Sequence, residues 1–166
     1  MSRLLIVGAG GHGAVAAEAA AEAGDWESIE FLDDDPVNTQ VLGFPVIGTV
    51  SDMTAHLDEA TVVLIALGNN SRRLELLERA ANAGGRLATV IHPSAQVSRS
   101  ASIGAGGVVF AGAIVNARAK IGLGAILNTG ATVDHDCFIG DAVHISPGAN
   151  LAGEVTVGDC SWIGIG

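Results

Sequence analysis

Basic side chains are scarce: 8 of 166 residues are Lys or Arg against 18 Asp or Glu, a formal net charge of −10. Nucleic-acid binding relies on Lys and Arg to neutralise phosphates, so this balance argues against it. Long apolar runs are missing too. The opening stretch, Met1 to Gly13, has too short an apolar run for a signal peptide or a spanning helix, so no membrane association and a cytoplasmic location are expected. Cysteine is nearly absent. Cys137 and Cys160 lack metal-ligand spacing and read as buried thiols in a reducing compartment. What is plentiful is apolar: 49% hydrophobic content suffices for the cores of one or two small domains. Acidity concentrates early, with 13 acidic and 5 basic side chains in residues 1–96 but 5 and 3 in residues 97–166.

The second half carries a repeat. From Ile91 to Ile163 every sixth residue is Ile, Val or Leu, a spacing that neither a strand period of two nor a helix period of 3.6 produces. Two places before each aliphatic stands a small or β-branched residue such as Ala95, Ala113, Cys137 or Ala149, and a turn former such as Gly104, Asn116, Asp134 or Gly158 often follows. An aliphatic in the core, a small neighbour and a permissive corner suit a parallel β-helix with three hexads, 18 residues, per coil. The few charges in this half fit faces covered by other chains.

The first half alternates strands and helices. Leu4–Val7 runs into Gly8-Ala9-Gly10-Gly11-His12-Gly13, followed by an alanine-rich helix over Ala14–Ala23. Ile29–Leu32 is a strand ending in Asp33-Asp34-Asp35-Pro36, where Asp35-Pro36 also suits an ordinary turn. Thr61–Leu67 is another, and Gly68-Asn69-Asn70-Ser71 can cap a helix over Arg72–Ala83. Leu87–Ile91 reads as a fourth strand leading into the coil, while Gly43, Pro45 and Gly48 break up residues 36–60. The expected fold is an α/β, Rossmann-like half domain over residues 1–90 followed by a β-helix over 91–166.

Gly8-x-Gly10-x-x-Gly13 matches a dinucleotide fingerprint, with Asp33 20 residues past Gly13 where a ribose-binding acid belongs. Only half the usual sheet is available, however, and a glycine turn opening a helix presents N–H groups to any phosphate, a nucleotide-diphosphate sugar included. His12, polar where only small residues are needed, favours ligand contact over a purely structural turn. Asp33 and Asp34 suit ribose hydroxyls or a base.

Two histidines fall within the repeat. His135 comes two places after a core aliphatic, at or just past a corner, and His144 precedes a core aliphatic on the outward face. At 18 residues per coil Gly153 stacks over His135 and Ala117 lies beneath, leaving the imidazole beside bare backbone and a glycine N–H free for a carbonyl oxygen. Imidazole is suited to accept a proton near neutrality. Asp134 and Asp136 flank His135, and a carboxylate there raises basicity and fixes the tautomer if the corner brings the pair together. Taken alone, an exposed histidine between two acids is also an ordinary surface feature. The nine-residue separation of His135 and His144 offers no paired zinc ligands, so no metal is expected.

Over essentially its whole length the chain resembles the NeuD-like and PglD-like sugar O-/N-acyltransferases. The resemblance rests on Gly8–Gly13, Phe31-Leu32-Asp33-Asp34, Gly68-Asn69-Asn70, Ile91-His92-Pro93-Ser94-Ala95, Ile126-Leu127-Asn128-Thr129, Val133–Cys137 and Val143–Ala149, in this order. It implies a homotrimer of left-handed β-helices with active sites between neighbouring chains. A nucleotide-linked amino sugar would bind Gly10, Gly11, His12, Asp33, Asp34 and Gly68, and acetyl-CoA would lie along the coils against His144 and Ile165. His135 would be the general base, supported by Asp136, with direct attack of the amine on the thioester; Gly153 N–H is the candidate oxyanion donor. The resulting expectation is an N-acetyltransferase of cell-surface glycan synthesis. Sugar O-acetylation, as on a sialic acid, and a non-catalytic nucleotide-sugar-binding trimer are the alternatives. The chain stops at Ile163-Gly164-Ile165-Gly166, in mid-repeat, whereas the resemblance implies further coils and a C-terminal segment, so a fragment or an omitted tail is expected.

Overall fold

A computed structural model describes residues 2–24, 26–35 and 39–166. The α/β part comprises β1 (Ser2–Val7), α1 (Gly11–Ala23), β2 (Trp26–Leu32), β3 (Gln40–Val41), β4 (Phe44–Gly48), β5 (Thr61–Ile65), α2 (Asn70–Asn82) and β6 (Arg86–Leu87). The sheet order is β3-β4-β2-β1-β5-β6, parallel except for the β3–β4 pair. Leu4–Val7 of β1 is an unbroken apolar run because both its faces are covered. Leu4 and Ile6 join a cluster with Ala16, Ala17 and Ala20 of α1, while Leu5 and Val7 join Leu76, Leu77 and Ala80 of α2. The chain leaves β1 for β2 on one side and returns as β5 on the other. That reversal opens a crevice beyond the C-terminal ends of β1 and β5, where open α/β sheets bind ligands.

Three local expectations need correction. The first helix starts at Gly11, three residues early, so His12 and Gly13 lie in its first turn. Residues 40–48 form a tight hairpin whose Leu42 and Gly43 take φ of 52° and 85°, the left-handed pair of a two-residue turn, and a 3-10 helix follows over Val50–His56. The strand expected over Leu87–Ile91 splits in two. Leu87 stays with β5, while Val90–Ile91 pairs with Val108–Val109 and opens the coil. Pro36 lies outside the described residues, so the turn read at Asp35-Pro36 is described only at Asp35.

From Val90 the chain winds a parallel β-helix of two-residue strands in three stacks. The first runs Val90–Ile91, Val108–Val109, Ile126–Leu127, His144–Ile145, Trp162–Ile163. The second runs Gln96–Val97, Ile114–Val115, Thr132–Val133, Asn150–Leu151, and the third Ser102–Ile103, Lys120–Ile121, Phe138–Ile139, Thr156–Val157. Each strand pairs with the one 18 residues on. Val109, Val115, Ile121, Leu127, Val133, Ile139 and Ile145 form the buried column, with Ala113, Ala119, Ala131 and Cys137 filling between them. Each such aliphatic contributes about 1.5–3 kcal/mol by leaving water. On the outer face of the first stack Val108, Phe110 and Ile126 join the α1 cluster, which fixes the α/β part against the lower coils. His144 and Trp162 continue the same face above them. No helix among the described residues is long and apolar enough to cross a membrane.

Candidate active site

The glycine turn is built as a phosphate-binding loop requires. Gly8 takes φ +109°, and a Cβ at Gly13 would collide with the Gly8 carbonyl. At Gly10, Gly11 and Gly68 a Cβ would meet nothing within 4 Å, so all three border open space at the crevice. The two acids are partly engaged. Asp33 Oδ2 accepts from Ala9 N (2.6 Å) and Oδ1 from Asp35 N (2.8 Å), so Asp33 braces the glycine loop itself. Asp34 Oδ1 accepts from Val50 N (2.9 Å).

His12 turns away from this crevice toward the coil. Its ring lies edge-on to Phe110 at 5.5 Å and 6.4 Å from the ring of His144. Its Nε2 is buried without a hydrogen-bond partner. Burial first, then the neighbouring His144 and Arg73, pushes its pKa down to about 4, so the ring is neutral. His144 is half-buried, stacks on Trp162 at 5.8 Å and 6°, and has Nε2 3.1 Å from Asn128 Nδ2. Burial and Arg73 also lower its pKa. Trp162 Nε1 donates to Ser146 Oγ (2.6 Å) yet leaves the indole 72% exposed, and Ile165 beyond it is 84% exposed.

The link between loop and coil is Arg73, which sequence reasoning missed. It is fully buried. Nε donates to Gly124 O (2.8 Å), Nη1 to Leu67 O (2.7 Å), and Nη2 to Ala142 O (2.7 Å) and Asn70 Oδ1 (2.8 Å). Asn70 Nδ2 in turn donates to Cys160 O and Ser161 O, both at 3.0 Å. Gly124, Ala142 and Cys160 are the same corner in three successive coils, each with positive φ. The start of α2 thus grips three rungs of the β-helix and sets the Gly68 turn against the His144 face. Burial lowers the Arg73 pKa to about 10, still a cation at neutral pH. Asn69, as expected, caps the helix by accepting from Arg72 N (2.9 Å).

His135 occupies another edge of the prism, the corner between the second and third stacks. A Cβ placed on Gly153 would stand 2.5 Å from its Nε2 and 2.6 Å from Cε1, so the ring lies directly against that glycine. Nδ1 is 2.8 Å from Asp136 Oδ2. Adjacent side chains meet because Asp136 takes φ +57° at the corner. Asp134 does not touch the ring: its Oδ1 accepts from His135 N (2.7 Å) and Asn116 Nδ2 (2.9 Å). Asp136 is clamped from the coil below, where Arg118 Nε donates to Oδ1 (2.6 Å) and Nη2 to Oδ2 (2.7 Å). The hydrogen bonds from Arg118 and then His135 hold the Asp136 carboxyl well below the usual carboxylate range, and the bond to Asp136 raises the His135 pKa. Gly153 N–H makes no hydrogen bond among the described residues.

One chain therefore gathers Gly10, Gly11, His12, Gly68 and His144 at one side of the coil and His135, Asp136 and Gly153 at a corner facing away from it. Cys137 is buried and its Sγ donates to Ala152 O, but Cys160 is only partly buried. No group of three or more His, Cys, Asp or Glu that could hold a metal occurs among the described residues.

A Rossmann-like half sheet set on a left-handed hexad-repeat β-helix, with an imidazole–carboxylate pair at a coil corner, defines the sugar acyltransferase class. Residues 3–80 match the PglD N-terminal domain. The acetyltransferase domain of PglB from Neisseria gonorrhoeae FA1090, solved with acetyl coenzyme A, is 48% identical, with 98% of this chain and 79% of that one covered at a TM-score of 0.94. A histidine-to-asparagine mutant of perosamine N-acetyltransferase from Caulobacter crescentus, solved with CoA and GDP-perosamine, is 38% identical, with 98% and 77% covered at 0.87. The UDP-N-acetylbacillosamine N-acetyltransferase of Bacillus subtilis (strain 168) is 42% identical over 113 residues, 67% of this chain. That match spans 52% of the curated relative's length. The chain belongs to the PglD-like family of sugar acetyltransferases.

Proposed function

We propose that the protein is an acetyl-CoA-dependent N-acetyltransferase acting on the amino group of a nucleotide-linked amino sugar, with His135 as general base. The observation that carries this is the His135–Asp136 pair lying against the bare backbone of Gly153. With Nδ1–H donated to Asp136, the Nε2 lone pair faces outward. The sugar amine attacks the thioester carbonyl as Nε2 removes its proton; the N–C bond forms, the C–S bond breaks, and the proton passes on to the departing CoA sulfur. Gly153 N–H is the group offered to the oxyanion. Relatives solved with acetyl coenzyme A, and with CoA and GDP-perosamine, support these substrates.

The nucleotide fits the crevice at Gly10, Gly11 and Gly68, where no side chain obstructs approach and the start of α1 supplies N–H groups. Asp33 and Asp34 line its β2 side, Asp33 acting mainly through the loop it braces. CoA fits along the His144 face beside Ile165, with His12 behind His144 rather than on the phosphates. The separation of His135 from His144 within a chain supports a site completed by a neighbouring chain, and hence a homotrimer. Phe138 (53% exposed) and Ile114 (37%) leave apolar surface on the second and third stacks to be covered. Dependence on acetyl-CoA implies a cytoplasmic location.

The test is acetyl-CoA-dependent release of thiol with UDP- and GDP-linked 4-amino sugars, together with the mass of the product. N-acetylated nucleotide sugar is expected. Binding of the nucleotide sugar without any thiol release would contradict the proposal.

A further inference from the structure

We propose that Arg118 is a positioning residue that fixes the tautomer of His135 by holding the Asp136 carboxylate in one orientation. The inference rests on the reading of His135 as base. A neutral imidazole accepts a proton at Nε2 only while Nδ1 carries the other one. That requires Asp136 Oδ2 to stay in the path of Nδ1–H. The carboxylate has no buried pocket to hold it, since its side chain is 32% exposed. Its plane is set instead by the guanidinium fork of Arg118, at 2.6 and 2.7 Å to the two oxygens. The remaining charged neighbours do not provide this. Asp134 is turned to Asn116 and the backbone, and Glu154 acts on His135 through its charge.

The backbone supports a dedicated arrangement. Left-handed corners at Gly106, Gly112, Gly124, Gly130 and Gly148 are filled by glycine, which adopts them freely. The corner that carries His135 places Arg118, Asp136 and Glu154 at φ of 62°, 57° and 64° in successive coils, whereas the other non-glycine left-handed corners of the described coil, Ala142 and Cys160, carry small side chains. Bulky charged residues held in this sparsely populated conformation, stacked beside the base, are of the kind that clusters at functional sites.

Arg118→Lys keeps the charge and loses the fork, whereas Arg118→Ala loses both. The experiment is 15N NMR of the protein labelled at its five histidines, assigned through His135→Ala, together with kcat and KM against pH. In the unaltered protein neutral His135 is expected as the Nδ1–H tautomer. In both variants a mixture containing Nε2–H is expected, with kcat about tenfold lower and KM for both substrates within twofold. Retention of the pure Nδ1–H tautomer in Arg118→Ala, or an unchanged kcat, would overturn the clamp. Full activity in His135→Ala would instead strike the base assignment, and the tautomer spectra would still judge the clamp separately.

Discussion

Gly153 leaves His135 uncovered: a single methyl group there would lie 2.5 Å from Nε2, the atom that must receive the substrate's proton. Gly153→Ala is accordingly expected to cut kcat by about a hundredfold or more, most of what a general base contributes, while the melting temperature moves little. The Gly153 backbone does not require positive φ, so the change acts through the ring alone. Steady-state kinetics beside thermal melts check this.

The pH profile should carry the mark of Asp136. The His135 pKa is raised, first by its hydrogen bond to Asp136, and the base works only when deprotonated. Activity is therefore expected to fall on the acid side through a pKa above the ordinary histidine value of 6.5. Asp136→Asn removes the raising charge, so the acid limb should move to lower pH while the plateau drops about a hundredfold as the tautomer is lost. kcat/KM from pH 5 to 9 decides it.

Acid sensitivity of the fold should depend on His12. Its pKa is lowered to about 4 in the folded protein against 6.5 unfolded, so it favours folding above 6.5 and this stability is lost as the pH falls toward 4. The linked change is roughly 3 kcal/mol. Urea unfolding at pH 7.5 and pH 4.5 should show a smaller difference for His12→Phe than for the unaltered protein.

Removing Arg73 strips donors from carbonyls in two coils and from the Gly68 turn. Arg73→Ala is expected to destabilise by about 3–5 kcal/mol, lowering the melting temperature by about 10 °C. Differential scanning calorimetry measures it.

The six-residue spacing carried most of what could be read beforehand. Because one coil is 18 residues, the position of Gly153 over His135 follows from counting, and so does the outward face of His144. The same count points from Asp136 to Arg118, a signal present in the sequence and unused. Arg73 was legible only as an oddity, a charge sharing the helix face of Leu76, Leu77 and Ala80. Its partners Gly124 and Ala142 lie 51 and 69 residues away, beyond any local pattern. The orientation of His12 was hidden for a similar reason. A glycine-loop pattern locates a side chain in the chain, but the packing of Phe110 and His144 decides where it points. Asp33 was found at the crevice, though its brace on Ala9 emerges only once β1 and β2 are paired.

The most direct test of the central claim compares single-turnover acetyl transfer to a nucleotide-linked amino sugar by the protein and by His135→Ala, at saturating acetyl-CoA. A rate at least about a hundredfold lower in the variant, with nucleotide-sugar affinity retained, is the predicted result. Equal rates would contradict the account.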